Sequence, residues 1–338
     1  MKLVTFLVPC YNSQDYMQKC IDSILDTRRE IECIIIDDGS TDDTGRIADQ
    51  YERENPQRVR VVHQPNGGHG AGIMAGIERA EGVFFKVVDS DDWLDKDCLE
   101  EYLTRLEELV EEDVQLIVND YEYDYNGCGK NTVISYHNAF ASNQIQTWKE
   151  MGNFSVNQYL TIHSCTYRTS VLRECGMDLP RHTFYEDNLY IYLPLPYVHK
   201  FYYMNRVLYH YYIGRQGQSM EEENMKLKCD HQIRVSKLVF SAYNLKGIYQ
   251  KEPKLGKLML RENVLMLSAA TVFARLNKDQ VSEEKVRLMW QELKKIDAST
   301  ARLIKYHTMA FWVCLPGKMG RLFAIINYHM AHRVLKFN

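Results

Sequence analysis

Three carboxylates within four residues, Asp89-Ser90-Asp91-Asp92, directly follow the mainly apolar run Val83–Val88. Carboxylates this close repel one another unless solvent or a cation intervenes. A hard divalent ion such as Mg²⁺ or Mn²⁺ takes oxygen ligands and bridges to phosphate oxygens. The plainer alternative is a solvated acidic turn that caps a helix over Leu94–Leu106. A second acidic turn, Asp37-Asp38-Gly39-Ser40-Thr41-Asp42, follows the β-branched run Ile31–Ile36. A carboxylate there could accept the imide N–H of uracil or the hydroxyls of a ribose, or could simply form a turn and a cap. Pro9-Cys10-Tyr11-Asn12 closes a first apolar run, Leu3–Val8, and its tyrosine could stack on a base. Asn66-Gly67-Gly68-His69-Gly70-Ala71-Gly72 offers backbone N–H groups and close approach ahead of a helix. It has neither the spacing nor the lysine of a Gly-x-x-x-x-Gly-Lys phosphate loop. No dinucleotide fingerprint follows the first apolar run.

These turns can act together only if the elements between them bring them to one edge. Leu3–Val8, Ile31–Ile36, Val59–His63, Val83–Val88 and Val114–Val118 are expected strands. Between them lie a helix capped by Ser13 with Met17, Cys20, Ile21, Ile24 and Leu25 at helical spacing, a helix over Thr44–Glu54 capped by Thr41 and Asp42, and a helix over Ile73–Ala80. This alternation predicts an α/β fold with an open, mostly parallel sheet flanked by helices. In such sheets ligands bind beyond the carboxyl ends of the strands, where the polar turns fall. Residues 119–220 read as irregular strands and loops rich in aromatics, and the pattern becomes helical from about Glu221. The expected organisation is one domain over 1–220, with a nucleotide-binding part at 1–118 and an acceptor part at 119–220, then a helical region over 221–338.

A chain of 338 residues with 45% apolar content can bury a large core, and its net charge of −4 gives no general attraction to nucleic acid. Nine cysteines, an odd number without a Cys-x-x-Cys pair, point to reduced thiols and a cytoplasmic protein. The first apolar run is too short for an export signal, and no run reaches the roughly 18 to 20 residues needed to span a bilayer.

Taken together, the motifs resemble glycosyltransferase family 2, a family of GT-A fold. The matching text is Val8-Pro9-Cys10-Tyr11-Asn12, Ile36-Asp37-Asp38-Gly39-Ser40-Thr41-Asp42, Asn66-Gly67-Gly68, Ala80-Glu81-Gly82 and Val88-Asp89-Ser90-Asp91-Asp92-Trp93-Leu94, in order over residues 1–110. A second tier holds Arg168 after Cys165-Thr166-Tyr167, the pair Glu186-Asp187, Tyr209-x-Tyr211 and Gln218-Ser219. The resemblance implies an inverting, metal-dependent transfer of one sugar from a nucleoside diphosphate sugar, UDP by preference, to an acceptor hydroxyl. It also implies a place in cell-surface polysaccharide or glycolipid synthesis. Pro9, Tyr11, Asn12, Asp38, Asn66 and Gly67 would hold the nucleotide sugar, with Asp89 toward the ribose. Asp91 would bind the divalent cation, Mn or Mg, with Asp92 as rival ligand. Asp187 would be the general base and Glu186 its positioning or capping neighbour, because adjacent residues of an extended segment point to opposite faces. Two departures stand out. The glycine-rich loop of the family usually continues Ala-Arg-Asn, whereas Ala71 is followed here by Gly72-Ile73-Met74, and the Gln-x-x-Arg-Trp motif of processive synthases is missing.

The aromatic run from Phe184 to Tyr212 reads mainly as core, with some members as a candidate sugar platform, and His163, before Cys165–Arg168, as a satisfied structural histidine or a residue lining the acceptor pocket. No acidic residue follows Asp297, while Arg302, Lys305, Lys318, Arg321, Arg333 and Lys336 remain. Beyond Pro316-Gly317, Met319, Leu322, Phe323, Ile326, Met330, Val334 and Phe337 fall on one helical stripe. That stripe either packs on its own domain or a partner, or lies on the inner face of the plasma membrane, where a glycan or lipid-linked acceptor resides. The rival functions are a sugar-phosphate nucleotidyltransferase, which would need a basic glycine-rich loop after the first strand, and a non-catalytic nucleotide-binding protein.

Overall fold

The computed structural model describes residues 2–125, 131–155, 158–214 and 222–335, with side chains to 330. Its strands are β1 (Val4–Cys10), β2 (Glu32–Asp37), β3 (Val59–His63), β4 (Phe84–Val87), β5 (Trp93–Leu94), β6 (Leu116–Asp124), β7 (Thr132–Ile134), β8 (Ile145–Gln146), β9 (Cys165–Arg168) and β10 (Phe201–Tyr212). The helices of the same part are α1 (Met17–Leu25), α2 (Thr44–Glu54), α3 (His69–Arg79), α4 (Lys96–Glu111), α5 (Thr169–Glu174) and α6 (Asp187–Tyr192). The strands form one sheet in the order β3-β2-β1-β4-β9-β6-β10-β5, with β7 on β6 and β8 on β10.

The first four strands of that order run parallel. Every residue of β1 and β2 is buried, as expected of strands covered on both faces. Beyond β4 the sheet is mixed. β9 enters antiparallel between β4 and β6, and β10 returns parallel to β6. The segment expected to be irregular therefore supplies two long strands. Most of its aromatics are core: Tyr190, Tyr192, Phe201, Tyr202, Tyr203 and Tyr209 are buried, while Phe184 and Tyr197 stay exposed. Tyrosine and phenylalanine favour a pleated, half-buried surface, but without strict alternation the period-two signal is lost.

Several local expectations shift. Tyr16, not Ser13, occupies the N-cap of α1, and Ser13 instead accepts the Tyr16 and Met17 amides through its backbone carbonyl. That leaves the Ser13 hydroxyl free to meet Ser90 Oγ at 2.8 Å. For α2, the Asp42 carboxylate accepts from Thr44 N at 3.0 Å, while Asp43 takes the cap position. The glycine-rich segment is helical from His69 onward, so α3 begins four residues ahead of Ile73.

The chain divides into two compact units, Met1–Ile213 and Gly214–Asn338. The second is all helix: α7 (Glu222–Leu227), α8 (Cys229–Ala242), α9 (Leu245–Lys251), α10 (Pro253–Leu276), α11 (Gln280–Ile296), α12 (Ala298–His307), α13 (Ala310–Val313) and α14 (Gly317–Leu335). Its core gathers Leu267, Ala270, Met289, Leu293, Ile304 and Ala324, among others, around α10. The eight described cysteines are buried and free of disulfides. Among the described residues, no helix is long and apolar enough to cross a membrane.

Candidate active site

Each parallel strand delivers a polar turn at its carboxyl end, and hydrogen bonds tie these turns together. Asn12, at φ 48°, accepts from Thr41 N at 2.9 Å and donates its own N–H to Ser40 Oγ at 3.0 Å. The turn after β1 is thereby fastened to the turn after β2. Tyr11 stands beside it, 53% exposed. Pro9 lies in β1 beyond Leu7, the last residue paired to β4.

Asp38 is buried and gathers the glycine-rich segment. Its Oδ1 accepts from Gln64 Nε2 at 2.7 Å and Gly67 N at 2.9 Å, and its Oδ2 from Gly68 N at 2.7 Å. Three bonds leave a carboxylate roughly one free lone-pair site. Asn66 approaches the same turn, where a Cβ on Gly39 would sit 2.8 Å from its amide nitrogen. Gly68 adopts φ +83°, which favours glycine, and the Gly67 carbonyl accepts from His182 N at 2.8 Å.

That path leads to His69 at the start of α3. Its Nε2 lies 3.0 Å from Asp89 Oδ1 and its Nδ1 2.8 Å from Glu186 Oε1. Carboxylates only accept, so a ring protonated on both nitrogens satisfies both partners. Burial works against that charge, but Asp89 and Glu186 override it and hold the imidazole well above its ordinary value. Gly70, one residue on, has no room for a side chain: a Cβ there would fall 2.8 Å from Glu186 Cγ.

Glu186 and Asp187 are not on an extended segment. Glu186 has helical backbone angles at the N-cap of α6, and Asp187 is the first residue of that helix. Glu186 is buried against His69, whereas Asp187 is only part-buried. Burial, followed by the Glu186 charge, pushes the Asp187 carboxyl up to about 7, against the pull of His69.

The acidic turn closes the arrangement. Tyr209 Oη accepts from Asp89 N at 3.1 Å and donates to Asp92 Oδ2 at 2.6 Å, while Tyr212 N donates to Asp92 Oδ1 at 2.8 Å. Asp92 is 1% exposed, and burial with the neighbouring Asp91 and Asp89 raises it well above the carboxylate range. One oxygen each from Asp89 and Asp92 and one ring nitrogen of His163 lie within 4.8 Å of one another. His163 is not the satisfied histidine expected. Its Nδ1 is buried without a hydrogen-bond partner, its ring stacks on Tyr211 at 4.5 Å, and burial lowers it to about 4. A neutral imidazole has a lone pair to offer. Excess buried negative charge beside an unpartnered nitrogen donor is a fit for a divalent cation.

Lys86 was missed as a site residue. It lies in β4 with no exposed surface, its Nζ donating to His163 O at 2.9 Å and Asn119 Oδ1 at 3.2 Å, and burial lowers it to about 7. A lysine inside Val83–Val88, just ahead of three aspartates, was the available signal. Arg168 falls elsewhere. β9 runs antiparallel, so Arg168 pairs with Phe84 at the opposite end of β4 and spends its guanidinium on the Val110 and Val114 carbonyls. It lines a cavity of about 470 Å³ with Glu81, Arg173 and Glu174 that includes none of the acidic-turn residues. Gln218 and Ser219 lie outside the described residues.

Parallel strands ending in acidic and glycine-rich turns, joined to an antiparallel strand and two long parallel ones, form the GT-A arrangement of nucleotide-sugar transferases. The chain belongs to glycosyl transferase family 2, whose model matches residues 5–174, half its length. It is 37% identical over 127 residues to glycosyltransferase GlyG of Streptococcus pneumoniae, covering 37% of this chain and 40% of GlyG. It is 32% identical over 166 residues to the chondroitin synthase of Pasteurella multocida, covering 45% of this chain and 17% of the synthase. The chain thus spans less than half the length of these curated relatives. The crystal structure of S. aureus TarS 1–349 in complex with UDP-GlcNAc superposes with a TM-score of 0.55 at 19% identity, covering 91% of this chain and 92% of that one.

Proposed function

We propose that the acidic mouth transfers a single sugar from a UDP-sugar to an acceptor hydroxyl, with inversion at the anomeric carbon. The observation that carries this reading is the His69 bridge, which holds Asp89, on the donor side, beside the Glu186-Asp187 pair. In this reading Tyr11 stacks on the base, Pro9, Asn12, Asn66 and Gly67 frame the nucleotide, and Asp38 shapes their loop while its remaining lone pair faces the nucleoside. Asp89 takes the ribose. Asp91 holds the cation with Asp92 as rival ligand, and Asp92 shares a cluster of donor atoms with Asp89 and His163; a nitrogen in that cluster favours Mn²⁺ over Mg²⁺. A divalent cation bound there supplies positive charge against the departing diphosphate. Asp187 removes the acceptor proton, and a carboxyl raised to about 7 suits that task near neutral pH. A single base and in-line attack from the face opposite the leaving group give inversion. Residues 1–118 form the donor part and the following strands the acceptor part. The acceptor is a cell-surface polysaccharide or glycolipid, in keeping with relatives such as the chondroitin synthase.

The test is UDP release from a panel of UDP-sugars with Mn²⁺ and candidate acceptors. The wild-type protein should release UDP, and Asp91→Ala and Asp187→Asn should each lose on the order of 10²-fold or more. Pyrophosphate release from a nucleoside triphosphate and a sugar phosphate would replace this reading with nucleotidyl transfer.

A further inference from the structure

The helical unit carries an apolar face that its own core does not use. On α14, Ala324 and Tyr328 are buried, whereas Met319, Leu322, Ile326 and Met330 are 40% to 62% exposed. Steps of three and four residues place those four on one narrow stripe. Phe323 extends the stripe sideways, its ring 5.1 Å from Trp312, which is itself 52% exposed. Of the two readings of this helix, packing of the stripe on its own unit is therefore set aside. Four large side chains and an indole in water are costly unless something covers them.

Charge indicates what does. From residue 298 to 338 the sequence holds Arg302, Lys305, Lys318, Arg321, Arg333 and Lys336 and no acidic residue, in a chain of net charge −4. Lys318 is exposed at the head of the stripe, and Arg302 is exposed on α12. Two copies meeting through this face about a twofold axis would set one cationic segment against another. An anionic surface gains from the same charge, and an exposed tryptophan suits the boundary between headgroups and acyl chains. α14 is not apolar enough to cross a bilayer, so it would lie along one.

We propose that α14, with Trp312, docks the protein onto an anionic lipid surface, its stripe entering the acyl boundary and the exposed Lys318 and Arg302 meeting the headgroups. The proposal stands apart from the donor chemistry. Its test is co-sedimentation of the full chain with vesicles of phosphatidylcholine alone or mixed with phosphatidylglycerol. Binding to the mixed vesicles should exceed binding to neutral ones by on the order of tenfold and weaken with salt. The variant Met319→Ser/Leu322→Ser/Ile326→Ser should lose tenfold or more in binding while keeping its melting temperature and its rate of UDP release from a soluble donor. Lys318→Glu/Arg302→Glu should lose the preference for anionic vesicles. Equal binding of both vesicle types, undiminished binding by the triple variant, or a wild-type dimer that the triple variant dissolves would each overturn it.

Discussion

Among single residues, Asp187 and His69 make the most distinct claims. Asp187→Asn should keep nucleotide binding and lower kcat by about 10²- to 10⁴-fold, measurable by steady-state UDP release. A base acts only when deprotonated, so kcat/KM of the wild-type protein should rise with pH through about 7 and level off above it. The linkage runs the other way. A carboxyl raised in the folded state contributes stability below the unfolded value that is lost as pH climbs through about 7. Activity at neutral pH is thus gained where that stability is being lost. His69→Ala would strand the buried Glu186 carboxylate without its ring partner, a cost of about 1–3 kcal/mol. A lower urea midpoint together with a reduced kcat is the expected result. His69→Gln should recover only part of the stability, because both amide donors sit on one nitrogen and cannot span the separate positions of the two ring nitrogens.

At the level of elements, α3 starts at His69 and β4 carries a lysine into the interior. Gly70→Ala would press a methyl group to 2.8 Å from Glu186 Cγ and push α6 away from α3. Overpacking of this kind costs about 1–3 kcal/mol and should lower kcat more than it raises KM for the donor. Lys86 is lowered to about 7 while the unfolded chain keeps its ordinary lysine. The unfolded state therefore binds the extra proton, and this position adds stability as pH rises from about 7, on the order of 1 kcal/mol per pH unit. Lys86→Met should lack that slope, so the difference between wild-type and variant unfolding free energies should grow by that amount per pH unit over pH 7 to 9. The parallel strands were legible because buried β-branched runs ending in Asp or Pro-x-Tyr-Asn leave few alternatives. The start of α3 was not, since four glycines in Asn66–Gly72 read as loop until Asp38 is seen holding the Gly67 and Gly68 amides. β9 was hidden for a different reason. Four residues carry little periodicity, and their antiparallel place between β4 and β6 is a long-range matter. The Glu186-Asp187 pair was found as a motif, yet its backbone was misjudged, because the helix that follows spans only Asp187–Tyr192.

Across the whole molecule, the donor loops, the acidic turn and the Glu-Asp pair come from positions as far apart as Pro9 and Tyr212 and meet within the unit Met1–Ile213. That convergence is the central claim, and ligand-linked stability reads it directly. Thermal unfolding should be followed with UDP-, GDP- and dTDP-sugars, with and without Mn²⁺, for the wild-type protein and for Asp89→Ala and Asp91→Ala. A donor at about 100 times its Kd contributes roughly 2.7 kcal/mol, a rise of several degrees in Tm. The largest rise is expected with a UDP-sugar and Mn²⁺ together, and its loss in both variants. A flat response across all donors, or a rise that neither metal removal nor these substitutions diminish, would contradict that convergence.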